Sequence, residues 1–152
     1  MINKLNMEEE IALITFENAP TQIGFITSLF GMAADRKINI DMISQTAQRG
    51  GGTTISFTAH DADVAQLLEI AKIQSEKHNA IKTFVSASNV KIALYSKEMA
   101  LNYGVAAKVF KVLNDVNVDI ILITTSEEDI SILVPSSSAD AAYNAFAKEF
   151  GL

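Results

Sequence analysis

Five residues recur at one fixed offset in this chain, and that recurrence limits its possible folds more than any other feature. Gly24, Phe30, Asp35, Ile40 and Ile43 return as Gly104, Phe110, Asp115, Ile120 and Ile123, each 80 positions later and without a gap. The apolar pattern around them matches too, so the 152 residues read as two copies of one unit. A copy of about half that length is small for an independent core, and the two are expected to pack together.

The first copy is clearest between Ala19 and Thr46. A loop, Ala19 to Ile23, runs into a helix opening near Gly24. Ile23, Ile26, Phe30 and Ala33 mark one apolar face, and Phe25, Leu29 and Met32 a second. Asp35-Arg36-Lys37 closes the helix, with the basic residues expected in its last turn, where the dipole favours cations. Ile38 to Ile43 then alternates with period two, as a half-buried strand does.

The remaining segments follow the same rules. Residues 2–7 form a possible short strand, Glu8-Glu9-Glu10 a solvated turn, and Ile11 to Phe16 a strand. Gln48 to Gly52 is a hairpin loop returning through Thr53 to Thr58. Asp61 or Asp63 can cap a helix carrying Val64, Leu67, Leu68 and Ala71, and Ala80 to Ala87 is a further strand. The order βαββαβ is the ferredoxin-like arrangement, an α+β fold with helices on one face of an antiparallel sheet.

The second copy has strand Val90 to Tyr95, a helix near Gly104 capped by Asn102, and strands Val118 to Thr125 and Ile130 to Val134. Ser136 to Ser138 then caps a last helix ending at Phe150. This copy lacks its final strand, and an unpaired edge is a liability. Residues 2–7 are the one strand left over. The expected domains are therefore 9–87, and 88–152 completed by 1–8, with the first repeat inserted in the second. Ile120 to Ile123 is apolar at every position, as in a strand covered on both faces, by the other repeat or by a second chain.

Composition removes several functions. A net charge of −6 with no basic run gives no footing for nucleic acid or an anionic membrane. No apolar run reaches a membrane span and the polar N-terminus is no signal peptide, which points to the cytoplasm. Without cysteine there is no disulfide framework or thiol nucleophile. His60 and His78 stand alone, so neither metal nor cofactor is expected. Gly50-Gly51-Gly52 precedes a strand and no Gly-Lys-Ser/Thr follows, so it reads as a hairpin rather than a phosphate loop.

The ordered motifs resemble the paired ACT domains at the C-terminus of aspartokinases, over nearly the whole chain. They are Pro20 to Gly24, Phe30-Gly31, Asn39-Ile40-Asp41-Met42-Ile43 with Gln45, and Gly52 to Thr58. The second copy adds Gly104 to Phe110, Thr124 to Glu127 and the closing Phe150-Gly151-Leu152. The resemblance implies a regulatory module that binds an end-product amino acid, lysine or threonine, between paired ACT domains and inhibits an attached kinase. By position the effector would meet Thr21, Ile23 and Gly24 and the N–H groups of Gly24, Phe25 and Ile26. Asn39, Ile40, Asp41 and Gln45 would form the strand side, with Asp119 and Ile120 approaching from a neighbouring domain. A helix N-terminus suits a carboxylate, Asp41 an ammonium, and Gln45 can both donate and accept.

Thr21, Gln22 and Ile23 stand where the family has Asp, Arg and Pro, so the loop offers no carboxylate. Thr21 and Asn102 also fit plain helix caps, and Asp41 a solvated strand residue. Three functions are open: an effector-binding regulatory module, an ACT dimerisation scaffold with a decayed site, and a small enzyme on a ferredoxin-like sheet. The enzyme lacks a nucleophile–base pair, and no kinase catalytic domain fits this length. A homodimer is expected, with an aspartokinase catalytic subunit as a further partner. Met1 directly before the first strand fits an independently started chain and equally a fragment.

Overall fold

The computed structural model describes residues 1–152 and is α+β, with antiparallel strand pairs and four α-helices. The chain divides into two compact units, one of residues 10–87 and the other of 1–9 with 88–152. Strands β1 (Lys4–Ala19) and β4 (Lys82–Tyr95) each contribute to both.

The unit of 10–87 contains the second half of β1, then α1 (Ile23–Asp35), β2 (Ile43–Gln45), β3 (Thr53–His60), α2 (Val64–Lys77) and the first half of β4. Its hydrogen-bonded strand order is β2-β3-β1-β4. Period-two alternation sends Ala12, Ile14 and Phe16 of β1 and Ile55, Phe57 and Ala59 of β3 to one face. Phe25, Leu29 and Ala33 of α1 and Leu67, Ile70 and Ala71 of α2 close that core. Gln74 is buried in α2, and its amide donates to Ser28 Oγ at 3.4 Å and Met32 Sδ at 3.3 Å on α1.

The other unit repeats the plan with the second half of β4, α3 (Val105–Asp115), β5 (Leu122–Thr125), β6 (Asp129–Pro135), α4 (Ser136–Phe150) and the start of β1. Its order is β1-β4-β6-β5. Val90, Ile92 and Leu94 meet Val109, Leu113, Ala142 and Phe146, and Ile2 is buried among them.

The likeness between units extends to single hydrogen bonds. At the end of α1, Ile38 N–H donates to Ala33 O at 3.0 Å and Lys37 N–H to Ala34 O at 2.9 Å. At the end of α3, Val118 N–H donates to Leu113 O at 3.0 Å and Asn117 N–H to Asn114 O at 3.1 Å. Lys37 (φ 56°) and Asn117 (φ 53°) are left-handed, so both helices end in Schellman motifs, 80 positions apart.

Several expectations change. Residues 4–7 and 11–16 belong to one strand, and Glu8-Glu9-Glu10 lies within it rather than in a turn. The strands expected over Ala80–Ala87 and Val90–Tyr95 likewise merge, into one that begins at Lys82. Glu10 (φ 57°) and Ser88 (φ 59°) each supply one left-handed residue, so the strands bend there without ending. The strands expected from Ile38 and Val118 shorten to β2 and β5. Their entries are held irregularly, through Met42 N–H to Thr58 Oγ1 (2.9 Å) and Ile121 N–H to Leu133 O (2.8 Å). Ile121 and Ile123 remain 40% and 42% exposed, so within one chain Ile120–Ile123 lacks cover on one face. Ile23 is 74% exposed and joins no core. No basic residue lies in α1's last turn; Arg36 is the C-cap, and its guanidinium donates to Met32 O at 3.4 Å.

A chain beginning at Glu8 should lose roughly 3–6 kcal/mol of stability in the unit of 88–152, from the buried Ile2 and the partly buried Leu5 and Met7. Thermal unfolding reads this directly, and an unchanged melting curve would contradict the role given to these residues.

Candidate functional site

Helix α1 begins without a side-chain cap: Gln22 is the N-cap residue and its side chain makes no capping bond. Phe25 N–H donates to Gln22 O at 3.1 Å, which leaves Ile23 and Gly24 ahead of the first helical hydrogen bond. The first turn has no acidic side chain to neutralise the positive end of the dipole. Thr21 is half-buried and is not the cap. Phe25 is a core residue: its ring meets Phe16 edge-on at 6.2 Å and His78 at 5.5 Å. Ile26 packs partly on the same core.

Gly24 has an ordinary helical backbone, and a Cβ there would meet nothing within 4 Å. Neither fold nor packing demands glycine at this position. Its value is the open approach it leaves to the helix start.

Gln45 is exposed and pairs with Ile55, while Ala19 pairs with Thr53, so Gln45 lies at the sheet end from which α1 departs. Asn39, Ile40 and Asp41 lie past the other end of α1, just after the Schellman closure. Thirteen residues at about 1.5 Å each put roughly 18–20 Å between the two ends. Within one chain, Thr21–Ile26 and Gln45 form one cluster and Asn39–Asp41 another. Asn39 and Asp41 are exposed, and Ile40 leans on the core. Asp41 N–H donates to Thr58 O at 3.2 Å.

In the other unit Asp119 and Ile120 line a concavity of about 320 Å³ with Phe110, Asn114, Asn117 and Ile123. Nearby, Lys111 donates to Asp115 one turn on, and that hydrogen bond raises the lysine's pKa. Helix α3 starts on Gly104 (φ 85°), and Asn102 instead donates to Glu98 O at 3.0 Å. Asp63, at the cap position of α2, makes no capping bond; the short turn before it is held by His60 Nδ1, which accepts from Ala62 N–H, and α4 starts directly after Pro135.

A larger concavity, about 730 Å³, escaped sequence reasoning. It lies beside the β2–β3 hairpin and is lined by Glu17, Asn18, Thr46, Arg49 and Lys82 among others. These residues are far apart in sequence, and no spacing links them.

A family profile described as ACT domain matches residues 92–150. Aspartokinase of Corynebacterium glutamicum is 33% identical over 147 residues, 95% of this chain and 34% of that protein. The Helicobacter pylori aspartokinase is 29% identical over 151 residues, 93% of this chain and 35% of the relative. The chain thus spans about a third of the curated relatives it matches. Among solved structures, the aspartokinase alpha and beta subunits give a TM-score of 0.89 at 28% identity, covering all of both chains. The ligand-free regulatory subunit of aspartate kinase from Thermus thermophilus gives 0.87 at 24%, covering 97% of each, which establishes shared fold. E. coli aspartokinase III in complex with lysine and aspartate shares the fold at 0.74 and 20%, over 97% of this chain and 33% of that one.

Fold and profile together define an ACT-type module, with the profile matching residues 92–150. Nearly the whole chain is similar to a stretch about a third of the length of the aspartokinases it matches.

Replacing Gly24 with alanine should leave the protein as stable or raise stability by up to about 1 kcal/mol. Gly52→Ala should cost about 1–3 kcal/mol, because its Cβ would collide with Asn18 Oδ1. Calorimetric melting distinguishes the two, and a destabilised Gly24→Ala would mean that the helix start is packed.

Proposed function

We propose that this chain binds an end-product amino acid of the aspartate family, lysine or threonine, and passes its occupancy to an aspartokinase catalytic chain in the cytoplasm. The observation that carries the reading is the open start of α1, with no side-chain cap, no acidic residue and a glycine that packing does not require. Free N–H groups at a helix start hold an α-carboxylate well. The complex of E. coli aspartokinase III with lysine supports the ligand class.

The proposed arrangement has two ACT repeats, 9–87 and 88–152 completed by 1–8, the first inserted within the second. Because Asn39–Asp41 lie a helix length from Thr21–Ile26, one copy holds only part of the site. A two-fold homodimer supplies the rest: the helix start and Gln45 of one copy hold the carboxylate, and Asn39, Ile40 and Asp41 of its partner receive the ammonium end. Asp119 and Ile120 form the matching surface of the second repeat. The exposed Ile43, Ile121 and Ile123 on the outer strands fit burial between copies.

A ligand at about 100 times its Kd adds roughly 2.7 kcal/mol to the folded state, or about 5–10 °C in melting temperature at this size. Lysine or threonine should produce such a shift and nucleotides should not. Gln45→Ala and Asp41→Ala should reduce it, His60→Ala should leave it unchanged, and Thr21→Asp should strengthen it by restoring a loop carboxylate. No heat and no shift with any of the twenty amino acids would reject the effector reading. A dimerisation scaffold with a decayed site, which the carboxylate-free loop at Thr21 favours, would then stand.

Light scattering at micromolar concentration should return the mass of a dimer. A monomer mass would remove both the shared site and the scaffold.

A further inference from the structure

The 730 Å³ concavity in the unit of 10–87 is built by two local devices. The first is the β2–β3 hairpin. Arg49 and Gly52 exchange backbone hydrogen bonds at 2.8 and 3.2 Å around Gly50 (φ 61°) and Gly51 (φ 82°), a tight turn that twists with its strands. Below it, Thr53 Oγ1 donates to Thr46 O at 2.7 Å and Thr54 N–H donates to Thr46 Oγ1 at 3.1 Å. Ala47 and Gln48 bulge out between these fixed points and wall the space.

The second device is Asn18. The register between β1 and β3 breaks between Phe16 and Ala19, which loops out Glu17 and Asn18. Asn18 is left-handed (φ 54°), its amide donates to Ala80 O at 3.3 Å, and its Oδ1 lies against Gly52. One side chain thus bonds to the segment entering β4 and packs against the hairpin at Gly52.

The framework satisfies its own polar groups, but the charges around it do not. Arg49 and Lys82 are cationic and Glu17 anionic, all three line the space, and none forms an ion pair. Two cations and one carboxylate complement a molecule with two carboxylates and one ammonium. We propose that this concavity binds a dicarboxylic amino acid, with Arg49 and Lys82 taking its carboxylates and Glu17 its ammonium. The space exceeds a four- or five-carbon acid, and the long side chains of Arg49 and Lys82 have the reach to close on it. The site is separate from the residues assigned to the effector, so it stands or falls independently of them.

The test is calorimetric titration of the whole chain with L-aspartate and L-glutamate, with succinate as the control that lacks the ammonium group. The acidic amino acids should bind, more weakly as salt rises. Arg49→Ala and Lys82→Ala should each weaken binding roughly fivefold, as exposed charge pairs do. Glu17→Ala should weaken aspartate but not succinate, and Gln45→Ala should change nothing at this site. All three charged residues are exposed, so the variants should melt as the parent does. No binding by the parent, or affinity indifferent to both cation substitutions, would overturn the site. Succinate binding as tight as aspartate would overturn the role of Glu17.

Discussion

Ile38 and Val118 donate their amide protons five residues back, to Ala33 and Leu113, and the rest of each unit depends on that closure. It stops the helix at a fixed residue and reverses the chain through one left-handed position, Lys37 or Asn117. The first residue after the reversal is buried, so the closure also fixes which side of the outgoing segment faces the core. From there the register follows: Ile43 pairs with Phe57 in one unit and Ile123 with Ile132 in the other. A slip of one residue would turn every side chain over. Lysine in a left-handed conformation carries a cost of about 1 kcal/mol or more. That it persists in the same place as Asn117 shows how strongly the surrounding bonds hold it.

The same closure divides the proposed effector residues. By ending α1 where it does, it places Asn39–Asp41 a full helix length from Gly24. On the proposed reading, the residues for the carboxylate and those for the ammonium then lie at opposite ends of one helix. Two copies related by a two-fold axis can bring unlike ends together, which ties effector binding to assembly in the proposed account. The concavity beside Asn18 has no such division, because its three charged lining residues belong to one unit.

Much of this was legible in the residues. The repeat, the helix periodicities and the Gly50-Gly51 turn follow from spacing and composition. Strand continuity does not: Glu8-Glu9-Glu10 looks like a turn and Ser88-Asn89 like a break between two strands, yet single left-handed residues at Glu10 and Ser88 let both strands pass through. Helix caps misled for a related reason. Thr21, Asn102, Asp63 and Ser136 are good cappers by type, but Gln22, Gly104 and Pro135 occupy or adjoin the cap positions at α1, α3 and α4, and Asp63 sits at that of α2 without a capping bond. The concavity was invisible because Glu17, Arg49 and Lys82 meet only through three strands.

The central claim is that the uncapped start of α1 is the receiving end of an allosteric ligand. Residue-by-residue amide shifts during titration with lysine or threonine test it most directly. The account predicts saturable changes in two clusters, Thr21–Ile26 with Gln45 and Asn39–Asp41, moving together with a single affinity. Shifts confined to other residues, or none at millimolar ligand, would contradict it.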